Sequence, residues 1–242
     1  MAERAEVKPQ QRLARAATRA KAPPVALVKP LPAPPRKPSV SKAAPPVRTD
    51  AMAHFRRYTD NLHQLMRTYD WSPVAELAED FARVIKSRHQ VFICGNGGSA
   101  GNANHLANDF IYGVAKNPGH ALRVISLAAN PAVLTCLAND EGYDRIYEIQ
   151  LKELANRGDI LIVFSGSGNS PNILKVLEAA KAMGVKSYAV LGYTGGKART
   201  MCDVPIHFAI DDMQIAEDMQ GIVGHMLMQW LWDNRTAISG TL

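Results

Sequence analysis

The sequence is poor in the features that would mark a secreted or membrane-spanning protein. It has three cysteines in 242 residues, Cys94, Cys136 and Cys202, an odd and scattered set without a Cys-x-x-Cys spacing. That usage argues against a disulfide framework and fits a reducing cytoplasm. No run approaches the ~20 consecutive apolar residues needed to span a membrane. The N-terminus also lacks the apolar core of a secretory signal. Proline is scarce after residue 50, because 10 of the 15 prolines fall before it. An excess of positive charge is missing from the same region. Residues 1–50 carry 11 of the 28 Lys+Arg and 3 of the 22 Asp+Glu, leaving 17 basic and 19 acidic residues for the remainder. The formal net charge of +6 thus belongs to the first fifty residues. The rest is nearly neutral and gives no general argument for nucleic acid.

Residues 1–50 read as a disordered, basic, Ala/Pro-rich arm. Segments such as KPLPAPPRKP and KAAPPVR cannot build a regular helix or ladder, since each proline removes a donor and fixes φ. A short basic helix could form over residues 3–21, interrupted by Pro9. Its functional reading is a tether to nucleic acid, an acidic partner or a membrane surface, and a transit peptide is a further alternative. The plainer one is a solvated extension.

From Ala51 the pattern turns helical, and residues 51–242 read as one domain with N-terminal helices over 51–88 and an α/β core over 90–232. Phe55, Tyr58, Leu62, Leu65 and Met66 recur at three- and four-residue steps. Ser72 is expected to cap a second helix that has Pro73 in its first turn and an apolar stripe from Val74 to Ile85. Short apolar strands are expected at Val91–Cys94, Arg123–Leu127, Ile160–Phe164, Ser187–Leu191 and Val204–Ile210, with helices between them. Asn139–Asp144 reads as a turn, and the last helix runs from about Gln214 to Trp232. Alternating strands and helices imply an α/β fold, a doubly wound five-stranded parallel sheet sandwiched by helices.

Two Gly-rich turns fall at strand ends, where such sheets bind ligands. The first, GNGGSAGNANHLAND, follows Val91–Cys94, and Ser99 and Asn102 are plausible caps for its helix. It has neither the Lys-Ser/Thr of a Walker A loop nor a GxGxxG spacing, which points away from nucleotides. The second, SGSGNSP, offers Ser165, Ser167 and Ser170 around Gly166 and Gly168. Hydroxyls and helix-terminal N–H groups bind a phosphate without a full cationic charge, whereas a helix cap needs only one of the three. His105 and Asp109 stand at i, i+4 on one helix, and Glu217 and His225 stand eight apart on the last. Two imidazoles and two carboxylates from two helices would suit Zn²⁺ or another divalent first-row ion. The bland alternative is a pair of satisfied core histidines.

These segments, with LANDEGYD and AEDMQGIVGH, resemble the sugar isomerase (SIS) domain, and within it the phosphoheptose isomerases. The resemblance covers roughly residues 51–232 and implies a flavodoxin-like SIS sheet. It implies a metal-assisted aldose–ketose isomerase that moves a proton through an enediol, converting sedoheptulose 7-phosphate to D-glycero-D-manno-heptose 7-phosphate. The setting it implies is cytoplasmic, in the biosynthesis of heptose-containing lipopolysaccharide, as a homo-oligomer (a tetramer) with one zinc per subunit. By position, Asn96, Gly97, Gly98 and Ser99 match a substrate-binding turn, and Asn139-Asp140 an Asn-Asp substrate contact. Ser165, Ser167 and Ser170, with Gly166 in a position usually Thr, match the phosphate-holding loop. His105 and His225 match metal ligands, joined by Asp109 for the usual Glu and Glu217 for the usual Gln, which is also a substrate contact. Asp109 and His225 would be the acid–base pair. Tyr112-Gly113 replaces the usual Gly-Arg. The rival reading is a non-catalytic SIS module that binds a sugar phosphate and recruits or regulates a partner.

Overall fold

The sheet is built on strands whose successive side chains serve two different cores. The computed structural model describes residues 50–116 and 120–239. These belong to one unit, Thr49–Leu242. The expectations for the basic arm, its short helix included, therefore lie outside the described residues, save Asp50. The strands are β1 (Gln90–Gly95), β2 (Arg123–Ser126), β3 (Ile160–Ser165), β4 (Lys186–Leu191) and β5 (Val204–His207). All are parallel, in the order β2-β1-β3-β4-β5. The doubly wound five-stranded sheet expected from the sequence is the one observed.

Side chains alternate across the pleat. Val91 and Ile93 of β1, with Ile160, Ile162 and Phe164 of β3, enter one core cluster, while Phe92, Cys94, Leu161 and Val163 enter the other. Both faces are covered, so the central strands are apolar throughout, as parallel sheets require. Edge strand β2 is different. Arg123 and Ile125 are exposed and Val124 and Ser126 buried.

The first face is covered by α2 (Ser72–Ser87), α3 (Gly98–Asn108) and α8 (Met213–Asp233), with α9 (Arg235–Ser239) beyond. The second is covered by α5 (Ile146–Leu154), α6 (Pro171–Met183) and the short α7 (Ala198–Met201), with α4 (Pro131–Asp140) at its edge. The first helix, α1 (Ala51–Thr68), buries no residue fully. Tyr58, Leu62, Leu65 and Met66 rest half-buried on the rim, the Tyr58 hydroxyl donates to Asp218, and Phe55 stays exposed. None of the described helices is long and apolar enough to cross a membrane.

Two capping expectations are corrected. Ser72 lies inside α2, whose N-cap is Trp71 with no side-chain bond, and Asp70 before it accepts from the Ser72 N–H (3.0 Å) and hydroxyl (2.8 Å). Ser99 and Asn102 also lie inside α3, whose N-cap is Gly97 with no side-chain bond. Ser170 does stand at the N-cap of α6, but its side chain makes no capping bond there. Asn139 and Asp140, expected in a turn, complete the last turn of α4, because the chain reverses only at Gly142 (φ 100°).

Helix α2 is anchored to the sheet by charge. Asp80 accepts from the buried Tyr188 hydroxyl (2.7 Å) and pairs with Lys186 (2.7 Å) and Arg83 (3.0 Å). Burial pulls the Asp80 carboxyl up, but its bonds with Lys186, Tyr188 and Arg83 outweigh that and hold it below the ordinary 3.8. A carboxyl depressed in the fold contributes stability above its unfolded value and loses it as pH falls through the folded one. Asp80→Ala should therefore destabilise the domain by about 1–3 kcal/mol at pH 7, by stranding the Tyr188 hydroxyl and two cations. Urea melts of both proteins should show the gap narrowing below pH 3.8.

Candidate active site

Strand order reverses between β1 and β3, and both Gly-rich turns leave the carboxyl ends of these two neighbours. That is the switch point where open α/β sheets leave a crevice. The turns are joined directly. Asn96 and the fully buried Asn172 exchange amide hydrogen bonds of 2.9 and 2.8 Å, and the Tyr143 hydroxyl donates to Asn96 Oδ1 (3.0 Å). Asn172 Oδ1 also accepts from the Ile173 N–H (3.0 Å), so one amide ties the first turn to the start of α6. Tyr143, just after α4, brings the end of that helix, which carries Asn139 and Asp140, to the same turn. Both of these are exposed, and Asn139 Nδ2 donates to Asp140 Oδ1 (2.7 Å).

The serine loop is braced from within and from the next loop. Ser165 Oγ, buried, accepts from the Gly168 N–H (3.0 Å), while Ser167 stays exposed and its Oγ accepts from the Asn169 N–H (3.3 Å). The loop after β4 is stitched alongside: Lys197 N–H donates to Asn169 Oδ1 (3.1 Å), Ala198 N–H to Gly168 O (2.9 Å) and Gly192 N–H to Gly166 O (3.0 Å). Gly168 has φ +65°, and a β-carbon there would stand 2.0 Å from the Gly195 carbonyl oxygen. Gly166 is also crowded, since a β-carbon would lie 2.6 Å from Met213 Sδ. Met213 takes the room that a side chain at 166 would need.

Helices α3 and α8 run side by side in one direction. Both hydrogens of the Asn102 amide are used, one on Glu217 O and one on Gln220 Oε1 (both 3.0 Å), and Gln220 Nε2 donates to Ser99 Oγ (3.0 Å). Ser99 is buried, so its hydroxyl serves this seam. Further along, His105 Nε2 and His225 Nε2 approach to 3.0 Å, with the rings 85° apart. Asp109 Oδ2 lies 3.5 Å from each. The imidazoles are about half exposed (53% and 50%), whereas the carboxylate is only 18% exposed. Asp109 opens a π-helical turn, Asp109–Gly113, a distortion frequent at functional sites.

These three residues form a group able to hold a metal ion. Ligands 2.0–2.1 Å from a tetrahedral zinc are about 3.3 Å from one another. The observed edges of 3.0, 3.5 and 3.5 Å match that spacing. Glu217, the fourth expected ligand, is not in the group. Eight residues of helix separate it from His225 by about 12 Å along the axis. Its carboxylate instead covers Gly98, with Oε2 only 2.3 Å from where a β-carbon would be. It therefore faces the first turn, where substrate contact was also expected.

The SIS-domain family profile matches residues 54–192. Phosphoheptose isomerase of Trichlorobacter lovleyi is 36% identical over 69% of this chain and 84% of its own length. That of Helicobacter pylori strain Shi470 is 36% identical over 75% and 91%. The chain belongs to the phosphoheptose isomerase family of SIS-domain proteins. A solved phosphoheptose isomerase from Neisseria gonorrhoeae superposes with a TM-score of 0.67 at 26% identity, covering 74% of this chain and 95% of that one. The fold is shared more widely, for example with the sugar isomerase domain of an RpiR transcription factor from Sphaerobacter thermophilus (TM-score 0.57, 17% identity).

Within this phosphoheptose isomerase framework, sequence reasoning passed over Asn172, Tyr143, Gln220 and the Gly195–Lys197 loop. Asn172 follows a proline at a helix start and reads as an ordinary first-turn residue. The one available signal was an amide in that turn, next to an apolar strand end. Tyr112, in place of the glycine of the usual Gly-Arg, is 65% exposed. Gly168→Ala should cost about 1–3 kcal/mol through its left-handed backbone alone. Substrate KM should rise further than stability falls, because the added carbon also displaces the Gly195 loop. Thermal melts beside steady-state kinetics would check this, and a KM equal to wild type would contradict it.

Proposed function

We propose that this protein isomerises sedoheptulose 7-phosphate to D-glycero-D-manno-heptose 7-phosphate, with one zinc per subunit held by His105, Asp109 and His225. The observation that carries this reading is the imidazole–imidazole–carboxylate triangle, built beside a switch-point crevice rich in serine hydroxyls. A non-catalytic SIS module has no use for such a triangle. Ser165, Ser167 and Ser170 take the phosphate with the help of the α6 N-terminus. Asn96, Gly97 and Gly98 form the opposite wall with Glu217, and Asn139 and Asp140 meet the sugar hydroxyls. Ser99 supports that wall from the seam. When bound, zinc supplies Lewis-acid polarisation of a carbonyl oxygen.

The proton work falls to this chain's own groups. Asp109 Oδ2 faces the imidazoles, whereas Oδ1 accepts only from the exposed Asn108 amide (3.2 Å). Oδ1 is the atom assigned to take the proton from C1 of the ketose and return it to C2. His225, beside it, is the proton partner for the substrate oxygens. The half-covered apolar face of α1 supports a homo-oligomer, for which the family resemblance implies a tetramer, and the cysteine usage fits a reducing cytoplasm.

The test is elemental analysis with a coupled isomerase assay, on wild type and His105→Ala. About one zinc per chain and turnover of sedoheptulose 7-phosphate are expected, with the zinc lost and turnover reduced by at least about 100-fold in the variant. Asp109→Asn should keep the fold and lose turnover to a similar degree. A wild-type protein with no metal and no turnover on heptulose or pentulose phosphates would overturn the reading.

A further inference from the structure

Three pairs of close approaches set the distance between α3 and α8. Glu217 covers Gly98 at one end, Met228 Sδ lies 2.9 Å from where a β-carbon on Gly113 would be at the other, and Gly224 faces Leu106 between them. The middle contact is the tightest of the two that flank the triangle. A β-carbon on Gly224 would stand 2.2 Å from Leu106 Cδ2, 2.4 Å from Cδ1 and 2.8 Å from Cγ. Leu106 is fully buried and Gly224 is buried too, so the leucine has no solvent to swing into. Each partner is also next in sequence to an imidazole, Leu106 to His105 and Gly224 to His225.

We propose that Gly224 and Leu106 are a positioning pair, a one-carbon spacer that fixes the separation of the imidazoles and so the metal affinity of the site. The inference deepens the zinc-isomerase reading and rests on it. Neither residue touches the reacting atoms. Their role is to hold the two Nε2 atoms at 3.0 Å, within reach of Asp109 Oδ2 at 3.5 Å from both. An added carbon at 224 must displace the buried Leu106 side chain, and in the proposed reading the strain is relieved by moving one helix away from the other. A shift of that kind opens the triangle, because the rings lie on opposite sides of the seam. The two helices also have no slack nearby, since the Ser99–Gln220–Asn102 bonds clamp the preceding turn.

Gly221 provides the control. It is one turn earlier on α8, and a β-carbon there would meet nothing within 4 Å. The experiment measures zinc affinity by chelator competition, the absorption spectrum of the cobalt-substituted protein, and the melting temperature of the metal-free protein. It compares wild type with Gly221→Ala, Gly224→Ala, Leu106→Ala and the double variant Leu106→Ala/Gly224→Ala. Gly224→Ala should weaken zinc binding about 10- to 100-fold, the range seen when groups supporting a ligand are lost, and should change the cobalt spectrum. Gly221→Ala should leave both as in wild type. Leu106→Ala should lower the melting temperature through its cavity yet retain zinc. The double variant should recover most of the affinity lost in Gly224→Ala, which a purely structural role would not produce.

Wild-type zinc binding by a folded Gly224→Ala, or a double variant that binds no better than it, overturns the spacer. If Gly224→Ala does not fold, the double variant decides: near-wild-type affinity supports the proposal, and lost affinity in a folded protein overturns it. A wild type that takes up no zinc defeats the isomerase reading itself, which is a different outcome from either.

Discussion

The parallel packing of α3 against α8 is the constraint on which the site depends. A helix pair usually meets through interdigitating side chains, with axes 8–10 Å apart. Here the contact is unusually lean, with glycines at 98, 113 and 224 and a ladder of amide bonds in place of apolar bulk. The two helices begin at the carboxyl edge of the sheet, so their N-termini flank the crevice, and the imidazoles stand about two turns into α3 and just over three turns into α8. Anion-binding chemistry therefore sits at the start of the seam and cation-binding chemistry farther along it. In the proposed reading a phosphorylated sugar uses both ends, with its phosphate at the dipoles and hydroxyls and its carbonyl end near the metal-type triangle.

The rest of the fold serves to hold that seam against the switch point. β1 and β3 are buried on both faces, and their reach into two cores makes their ends rigid. The Asn96–Asn172 pair then locks the two turns together without a charge. Such a neutral clasp leaves the positive potential of the α3 and α6 N-termini uncompensated. Glu217 stands beside them, its carboxylate over Gly98 where the family resemblance expects an amide. In the proposed reading that carboxylate meets sugar hydroxyls at this wall and leaves the phosphate to the serine loop.

The sheet was legible because parallel strands leave an unambiguous trace: five short apolar runs, each closed by glycine, serine or a polar turn. The meeting of His105 and Asp109 was legible for a related reason, since i, i+4 spacing places them together wherever that helix packs. Spacing within a helix could not settle Glu217. Eight residues return a side chain to nearly the same face but carry it about 12 Å along the axis, so sharing a face does not bring the Glu217 carboxylate into the group of His105, Asp109 and His225. The capping residues Ser72, Ser99 and Asn102 were misread by one to five positions because Trp71 and Gly97 take those roles, and local sequence does not reveal which backbone φ a glycine adopts. Contacts such as Asn96–Asn172, 76 residues apart, leave no local signal at all. Nor does the π turn at Asp109, which a regular 3.6-residue reading cannot generate.

The replacement of the usual glutamate by Asp109 makes sense only together with these nonlocal features. A shorter carboxylate reaches less far but has one torsion fewer to freeze, and so loses less entropy when held in place. It can meet both imidazoles only if the imidazoles come to it. The close approach at Gly224 brings His225 across to α3, and the π turn that begins at Asp109 changes the direction in which the backbone presents the carboxylate. The serine loop shows the same logic: Gly166 replaces a larger residue, and Met213, at the first turn of α8, fills the vacated space. In both places the residue on the sheet or α3 side is shorter than the family resemblance leads one to expect, and a residue of α8 lies close against it. A site adjusted in this way trades tolerance for preorganisation, because a long side chain can follow a helix that drifts and a short one cannot.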